Sequence, residues 1–411
     1  MKYSIITFGC RVNQADSLRL EEDLRARGAV ETAPADADLV IVNTCSVTAS
    51  ADQGARQTIR RIARENPSAR IVATGCYATR NPEQVSSLPG VIRLVPNDDK
   101  LQTVERLVHE GDLTTAERFG EGDGACGAPI EPGVAGRTAF TLRVQTGCDE
   151  RCSYCIIPTT RGPGRSVPLD VVAGEVRRVA AAGFKEVALT GVHLGSYGRD
   201  LDQPLSLVDL LSTLGELPLD VTFRISSLEP MDCTTAIVDL VAASGGRFAP
   251  HFHLPLQHAS DRMLALMERP YALDDYRRLV DRIRGRLPHA SIGSDVIVGF
   301  PGESAGDFER NLDYLPRSPL SHLHVFPYSD RPDTVASRLP GKVEGAVVRE
   351  RGARIRDIGA ALARAFRDRQ RGEIRPGLTL EDGTLVVTDN YLKVRIPPGR
   401  QRNERVWVSI D

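Results

Sequence analysis

Over its first hundred positions the chain alternates short apolar runs with longer stretches of helical spacing. Apolar runs at 3–7, 39–43, 70–74 and 91–95 predict strands, and the recurring apolar positions of 16–27 and 51–65 predict helices. This alternation argues for a parallel sheet with helices on its faces. A second series begins near residue 140, with strands predicted at 140–145, 186–190, 222–226, 251–256, 291–298 and 322–326. Helical patterns lie between them, for example 169–182 and 276–286. A full eight-stranded α/β barrel usually takes about 250 residues, so six units in about 200 predict an open, partial (β/α)6 barrel of the TIM type. Residues 346–371 read as one helix, with an apolar stripe through Val348, Ile355, Leu362 and Phe366. Three short strand patterns at 384–388, 392–396 and 405–410 then predict a small β-barrel.

Between the two series, residues 119–137 are rich in glycine and acidic residues and carry no periodicity, which reads as a linker. The expected division is therefore an α/β domain over 1–115, a linker over 116–137, a barrel over 138–345, the helix at 346–371 and a tail at 372–411. The formal net charge is -2, so no global field draws the chain to nucleic acid, and any RNA contact must come from a local patch. Lys2 is followed directly by a strand pattern, so no signal peptide is expected. No apolar stretch is long enough to span a bilayer. A cytoplasmic, reducing setting is the expectation, and there cysteines bind metal or react more often than they pair.

Six of the eight cysteines form two sets of three. Cys148, Cys152 and Cys155 share the run Gly147-Cys148-Asp149-Glu150-Arg151-Cys152-Ser153-Tyr154-Cys155. Zinc usually takes four ligands at paired spacings, whereas this run is C-x3-C-x2-C with no fourth Cys or His nearby. Three thiolates can instead hold three irons of a four-iron cluster and leave the fourth open. Cys10, Cys45 and Cys76 are dispersed, at spacings of 35 and 31 residues, yet each lies just past a predicted strand. Ligands of parallel sheets gather beyond the carboxyl ends of the strands, so these three can converge on a second cluster. The bland alternative is three buried structural thiols.

The Cys148 run resembles the signature of the radical S-adenosylmethionine superfamily, in which an aromatic residue, here Tyr154, precedes the last cysteine. The resemblance implies that the open iron chelates the amino and carboxylate groups of S-adenosylmethionine, and that one electron cleaves the sulfonium to a 5′-deoxyadenosyl radical. It also implies cofactor contacts at successive strand ends: Gly191 and His193 after one strand, Ser226, Ser227 and Glu229 after the next, and Gly299 later. With the dispersed N-terminal trio and a small C-terminal barrel added, nearly the whole chain is similar to the methylthiotransferases. In that family an N-terminal flavodoxin-like domain carries the second 4Fe–4S cluster, whose open iron holds the sulfur to be inserted.

Several runs are similar to the branch that modifies N6-threonylcarbamoyladenosine at position 37 of tRNA: Gly9-Cys10-Arg11-Val12-Asn13, Arg224 to Pro230, Phe326 to Pro332 and Thr388 to Val394. One run, Leu254 to Ser260, reads more like the branch acting on a ribosomal protein aspartate. The implied activity is insertion of SCH3 at carbon 2 of the adenine, with two S-adenosylmethionine and two 4Fe–4S clusters. The implied partners are tRNA and an electron donor, the chain acting as a monomer. The alternatives are methylthiolation of the ribosomal protein, or an iron–sulfur RNA-binding sensor without catalysis. The tail is shorter than the family's RNA-binding TRAM domain. Its basic stretch, Lys393, Arg395, Arg400, Arg402 and Arg405, is the expected RNA contact, with Tyr391 and Trp407 as stacking faces. The arginine-rich helix at 346–371 reads first as a solvated face and second as an aid to RNA binding.

Other residues have plainer readings. Cys126 reads as an exposed thiol in the linker, and Cys233 as packing at a helix start. His251 and His253 alternate on a strand and are expected to bond within the barrel. Arg161 and Arg165 are candidates for cofactor carboxylate or substrate phosphate, or for a capping or surface role.

Overall fold

The computed structural model of the protein describes residues 1–109, 131–133 and 138–411. Most of the predicted linker, with Cys126, lies outside the described residues. By internal packing the chain divides into two units. One is Met1–Ile130 with Gly147–Asp149 and Cys155–Pro163; the other is Glu131–Thr146 with Glu150–Tyr154 and Gly164–Asp411.

The first unit is built on five parallel strands, β1 (Lys2–Thr7), β2 (Val30–Glu31), β3 (Leu39–Thr44), β4 (Arg70–Gly75) and β5 (Val91–Val95). Their order is β2-β1-β3-β4-β5, the flavodoxin-like order, in which the chain reverses direction across the sheet between β1 and β3. Leu39, Val40, Ile41 and Val42 are all fully buried. A parallel strand covered on both faces reads as a continuous apolar run for this reason. One face packs on Leu20 and Leu24 of helix α1 (Arg11–Arg25), the other on Ile59 and Ile62 of helix α2 (Ala49–Glu65). Helix α1 begins five residues before the sequence pattern suggests. Its first turns bury Asn13, Asp16 and Ser17, polar residues that an apolar periodicity does not count.

In the second unit six parallel strands stand where the sequence places them. They are β6 (Phe140–Arg143) and, beyond a small antiparallel pair β7 (Gln145–Thr146) and β8 (Arg165–Ser166), β9 (Glu186–Thr190), β10 (Thr222–Ile225), β11 (His251–His253), β12 (Ser291–Val298) and β13 (His322–Pro327). Hydrogen bonding among the described residues groups them in two three-stranded sheets, β10-β9-β6 and β11-β12-β13. Strand β11 stops at His253 rather than reaching 256, and Pro255 has no N–H to continue the ladder. The long helix Gly345–Gln370 buries Ile355, Leu362 and Phe366. Gly359 brings this helix against β13, where an added Cβ would come within 3.2 Å of Leu323. Of its arginines, Arg351 is buried on Glu303 at 3.2 Å, so the helix is not a uniformly solvated face.

The tail of this unit is an antiparallel sheet ordered β16-β15-β14-β17, from β14 (Ile374–Leu380), β15 (Leu385–Thr388), β16 (Lys393–Arg395) and β17 (Arg405–Ser409). Strand β14 is absent from the sequence expectation because Pro376 and Gly377 interrupt its pattern. Val386, Val394, Val406, Val408 and Ile410 make its core. Arg224 of β10 holds the tail to the strands: it pairs with Glu186 at 2.8 Å and donates to the carbonyls of Asp389 at 3.0 Å and Thr388 at 3.4 Å. Among the described residues, no helix is long and apolar enough to cross a membrane.

Candidate active site

Cys10, Cys45 and Cys76 follow β1, β3 and β4, three neighbouring strands of one sheet. The register pairs Thr7 with Asn43 and Thr44 with Gly75, so the strand ends lie side by side. Cys10 is exposed; Cys45 and Cys76 are buried. Gly9 has φ +91°, and a Cβ there would sit 2.5 Å from Cys45 Sγ. Only glycine takes this turn and leaves that thiol room. Burial pushes the Cys45 thiol up to about 11, and the charges of Cys76 and Cys10 push the same way, so the three thiols lie within electrostatic reach. Three such groups become thiolates together only with a cation or a metal to hold them.

A cation stands beside them. Arg161 is almost fully buried, and its guanidinium meets the Asp16 carboxylate at 3.3 Å and the Asn13 side-chain carbonyl. Burial works against its charge; Cys76 and Asp16 outweigh that and keep the pKa raised. Lys100, also buried, reaches the same Asp16 at 3.0 Å and Asn13 at 3.1 Å, while burial lowers its own pKa. Asn97 donates to Cys76 Sγ at 3.6 Å and to Thr160 O at 2.7 Å. Converging thiols, a glycine-cleared wall and a fixed cation suit a cluster bound by three cysteines. Arg161 is thus no surface residue, whereas Arg165 is exposed.

Cys148, Cys152 and Cys155 are each half-buried. The Cys148 amide donates to Gly162 O at 3.1 Å, and the Ile157 amide points at Cys155 Sγ at 3.4 Å. Cys152 receives an N–H from Arg269 at 3.0 Å. Arg269 also bonds Glu229 and the Tyr271 hydroxyl. A charged donor on a thiol favours the thiolate a metal needs.

The strand ends of the second unit hold the expected cofactor residues. An added Cβ on Gly191 would meet Gln145 Oε1 at 2.9 Å, and the same oxygen accepts from the His193 amide at 2.9 Å. His193 is buried and its Nε2 lies 2.6 Å from Asp232. Burial opposes the charge of Asp232, and the His193 hydrogen bond outweighs it, lowering its pKa. Ser226 Oγ is buried without a hydrogen-bond partner, the kind of orphan a ligand satisfies. Ser227 is exposed beside it, and Glu229 is occupied by Arg269. Tyr154 packs edge-on to Phe300 at 6.3 Å. Gly299 differs: its amide donates to Glu303, and an added Cβ would meet Val348 at 2.4 Å, so here glycine admits the long helix.

In the tail, Lys393, Arg395, Arg405 and Trp407 alternate with the core valines and face away from them. Trp407 is 72% exposed. Arg405 is engaged by Asp220 at 3.2 Å, Arg402 by the carbonyls of Glu381 and Gly133, and Arg400 by Glu404 at 3.4 Å. Tyr391 is exposed too, with its ring tilted against His251 at a centroid distance of 4.5 Å and the Arg224 guanidinium 5.0 Å from its centre. Cys233 is buried just ahead of the helix Thr235–Ala243. Arg269, Asp232, Lys100 and Asp16 have no sequence signal; each is recognised only by what folding brings beside it.

Residues 142–315 match the radical SAM superfamily, and residues 2–96 match the uncharacterized protein family UPF0004. The class is that of radical S-adenosylmethionine enzymes. The chain is 36% identical over 401 residues to threonylcarbamoyladenosine tRNA methylthiotransferase MtaB of Aquifex aeolicus, covering 96% of each. It is 35% identical to ribosomal protein uS12 methylthiotransferase RimO of Desulforudis audaxviator, over 89% of this chain and 83% of that one. The chain belongs to the MtaB-like radical S-adenosylmethionine methylthiotransferase family. It is a transferase of S-adenosylmethionine and iron–sulfur chemistry. The radical S-adenosylmethionine methyltransferase TsrM of Kitasatospora setae shares the fold, with a TM-score of 0.56 at 16% identity over 82% of this chain and 76% of that one.

Proposed function

We propose that the protein inserts SCH3 at carbon 2 of N6-threonylcarbamoyladenosine at position 37 of tRNA, using two 4Fe–4S clusters and two molecules of S-adenosylmethionine. The observation that carries this reading is the meeting of Cys10, Cys45 and Cys76 at neighbouring strand ends, in a chain that also holds the C-x3-C-x2-C run. One trio serves radical chemistry; a second, with its own open iron, serves sulfur delivery. The tRNA branch is favoured by a relative named for it, aligned over nearly the full length.

In this reading residues 1–115 carry the auxiliary cluster, 138–345 the radical chemistry and 372–411 the RNA contact, aided by the helix at 346–371. S-adenosylmethionine bound at an open iron supplies a one-electron route to a carbon that ordinary nucleophiles leave untouched. Cys148, Cys152 and Cys155 would hold that cluster, with the Arg269 N–H donating to Cys152 Sγ. The turn at Gly191 and the orphan hydroxyl of Ser226 receive the cofactor, with His193 fixed by Asp232. Arg161 and Lys100 offset the charge of the auxiliary thiolates. A separate electron donor supplies the one electron for reductive cleavage, and the chain works as a cytoplasmic monomer.

The test is mass analysis of tRNA nucleosides from a deletion strain, its parent and the strain complemented with Cys45→Ala. Loss of the 2-methylthio nucleoside, restored by the parent gene and not by the variant, is expected. Intact tRNA nucleosides together with loss of methylthiolation on a ribosomal peptide would assign the protein to the ribosomal branch. Reductive cleavage of S-adenosylmethionine that is absent from reconstituted protein would overturn the radical role of the Cys148 run.

A further inference from the structure

On one face of the sheet β11-β12-β13 lies a cluster that the proposed chemistry does not use. His253 of β11, Asp295 of β12 and His324 of β13 each present one ligand atom, all within 4.8 Å of one another. His253 Nε2 lies 2.9 Å from Asp295 Oδ1, and His324 Nδ1 lies 3.2 Å from the same oxygen. The three strands are parallel and adjacent, with His253 opposite Gly293 and Asp295 opposite His324. Three neighbouring strands thus deliver two imidazoles and one carboxylate to one point. We propose that His253, Asp295 and His324 form a binding site for a divalent first-row transition ion of the zinc type.

Three further observations support it. First, the residue between the histidine-bearing strands is Gly293, and a Cβ there would come within 2.2 Å of His322 Nε2 and 2.8 Å of His253 Nδ1. The missing side chain is what lets the imidazoles crowd this face. Second, His322 lies beside the trio, with ring centroids 6.1 Å from His253 and 5.4 Å from His324, which places a third imidazole next to the site. Third, burial is graded: the side chains of His253 and Asp295 are 10% and 22% exposed, that of His324 57%. Two ligands are fixed in the sheet and the third stands on its open side. Two histidines and a carboxylate with open positions is a donor set that suits zinc or non-haem iron, and imidazole disfavours calcium or magnesium. The two imidazole nitrogens that hydrogen-bond Asp295 Oδ1 are the atoms that would ligate the metal once their protons are lost. His253 bonds Asp295 of the neighbouring strand; the third member, His324, comes from a strand 71 residues further along (324 minus 253).

The site stands apart from the reading of the cysteine trios, and its test does not need activity. The reconstituted protein, with its iron measured, is exposed to zinc, dialysed against a weak chelator and assayed for zinc and iron per chain. About one zinc per chain is expected, with iron unchanged, and with zinc–nitrogen and zinc–oxygen distances of about 2.0–2.2 Å in X-ray absorption and no sulfur at about 2.3 Å. Asp295→Asn, which keeps shape and hydrogen bonding, and His253→Ala should each weaken zinc binding by about 100-fold or more, beyond what loss of an outer-shell partner costs. His109→Ala, an exposed histidine elsewhere, should change nothing. No retained zinc in the parent, sulfur in its coordination sphere, or equal retention in Asp295→Asn and the parent would each overturn the proposal.

Discussion

The guanidinium of Arg161 and the carboxylate of Asp16 lie 3.3 Å apart with both side chains closed to solvent, although 145 residues separate them in sequence. The pair stands where Cys10 and Cys76 act on Arg161 electrostatically. A fixed positive charge favours the more negative, reduced state of a neighbouring cluster. In protein carrying alanine at 148, 152 and 155, so that only the N-terminal cluster remains, Arg161→Gln should lower the midpoint potential by about 60 mV or more, a tenfold change for a one-electron couple. Arg161→Lys should keep most of it. A redox titration followed by electron paramagnetic resonance reads the difference, and equal potentials in parent and Gln variant would reject the role.

Anaerobically reconstituted protein should hold about eight irons, in two four-iron clusters. Alanine at Cys148, Cys152 and Cys155, or at Cys10, Cys45 and Cys76, should each leave about half. The N-terminal triple variant should still cleave S-adenosylmethionine reductively yet insert no sulfur. Methylthiolated product from that variant would show those cysteines to be structural.

Glu21 supplies a pH dependence. It is buried under the sheet of the first unit, and its Oε1, like the Tyr3 hydroxyl, has no hydrogen-bond partner. Burial, then Glu31, pushes its pKa from 4.5 to about 7. An acid raised in the folded state is neutral in both states below about 4.5, so no penalty applies there. As pH rises towards 7 the unfolded chain ionises first and stability falls, by at most about 3 kcal/mol at 1.36 kcal/mol per unit. Urea midpoints of Glu21→Gln and parent should agree near pH 4.5 and diverge in favour of Gln up to about pH 7. Parallel pH profiles would show that Glu21 titrates normally.

Arg224 is the latch of the tail. It bridges Glu186 and the Thr388–Asp389 backbone and lies 5.0 Å from the Tyr391 ring centre. Removing one partner of a buried pair costs about 3–5 kcal/mol. Arg224→Met should therefore expose the tail to limited proteolysis after residue 371 while iron content stays at the parent value. A digestion rate equal to the parent's would show that the tail is held by other contacts.

RNA affinity should rest on the outward face of the tail sheet. Lys393, Arg395 and Trp407 are exposed there, while Arg402 and Arg405 are engaged within the protein. Lys393→Ala and Arg395→Ala should each flatten the salt slope of tRNA binding by roughly 0.7 to 0.9 per lost phosphate contact. Trp407→Ala should cost about 1–3 kcal/mol with the slope unchanged, as a lost stacking face does. Binding titrations at several salt concentrations separate the two, and unchanged affinity in all three variants would leave the patch a solvated surface.

What the sequence disclosed follows from how each element is buried. Strands such as Leu39–Thr44, covered on both faces, announce themselves by apolar runs, here Leu39 to Val42. The start of helix α1 was hidden because Asn13, Asp16 and Ser17 share its buried first turns with Val12 and Ala15 and break the apolar periodicity. Strand β14 was hidden by Pro376 and Gly377, which sit within its ladder. The cysteines were legible because strand alternation fixes which end of a parallel sheet they occupy. Their cations were not: Lys100 looks like any surface lysine, and Arg269 lies 117 residues from the thiol it contacts. Hydrogen-bonded charge networks are set by tertiary neighbours, for which neither periodicity nor spacing carries a signal.

The placement of Cys10, Cys45 and Cys76 after β1, β3 and β4 also bears on how the protein matures. An iron donor that meets the newly made chain finds Cys148, Cys152 and Cys155 already together along one short run. The other three become neighbours only when three strands have paired in register. If both trios are ligands, cluster loading would have a built-in order: three ligands of one centre are neighbours along the chain, whereas those of the other become neighbours only through folding.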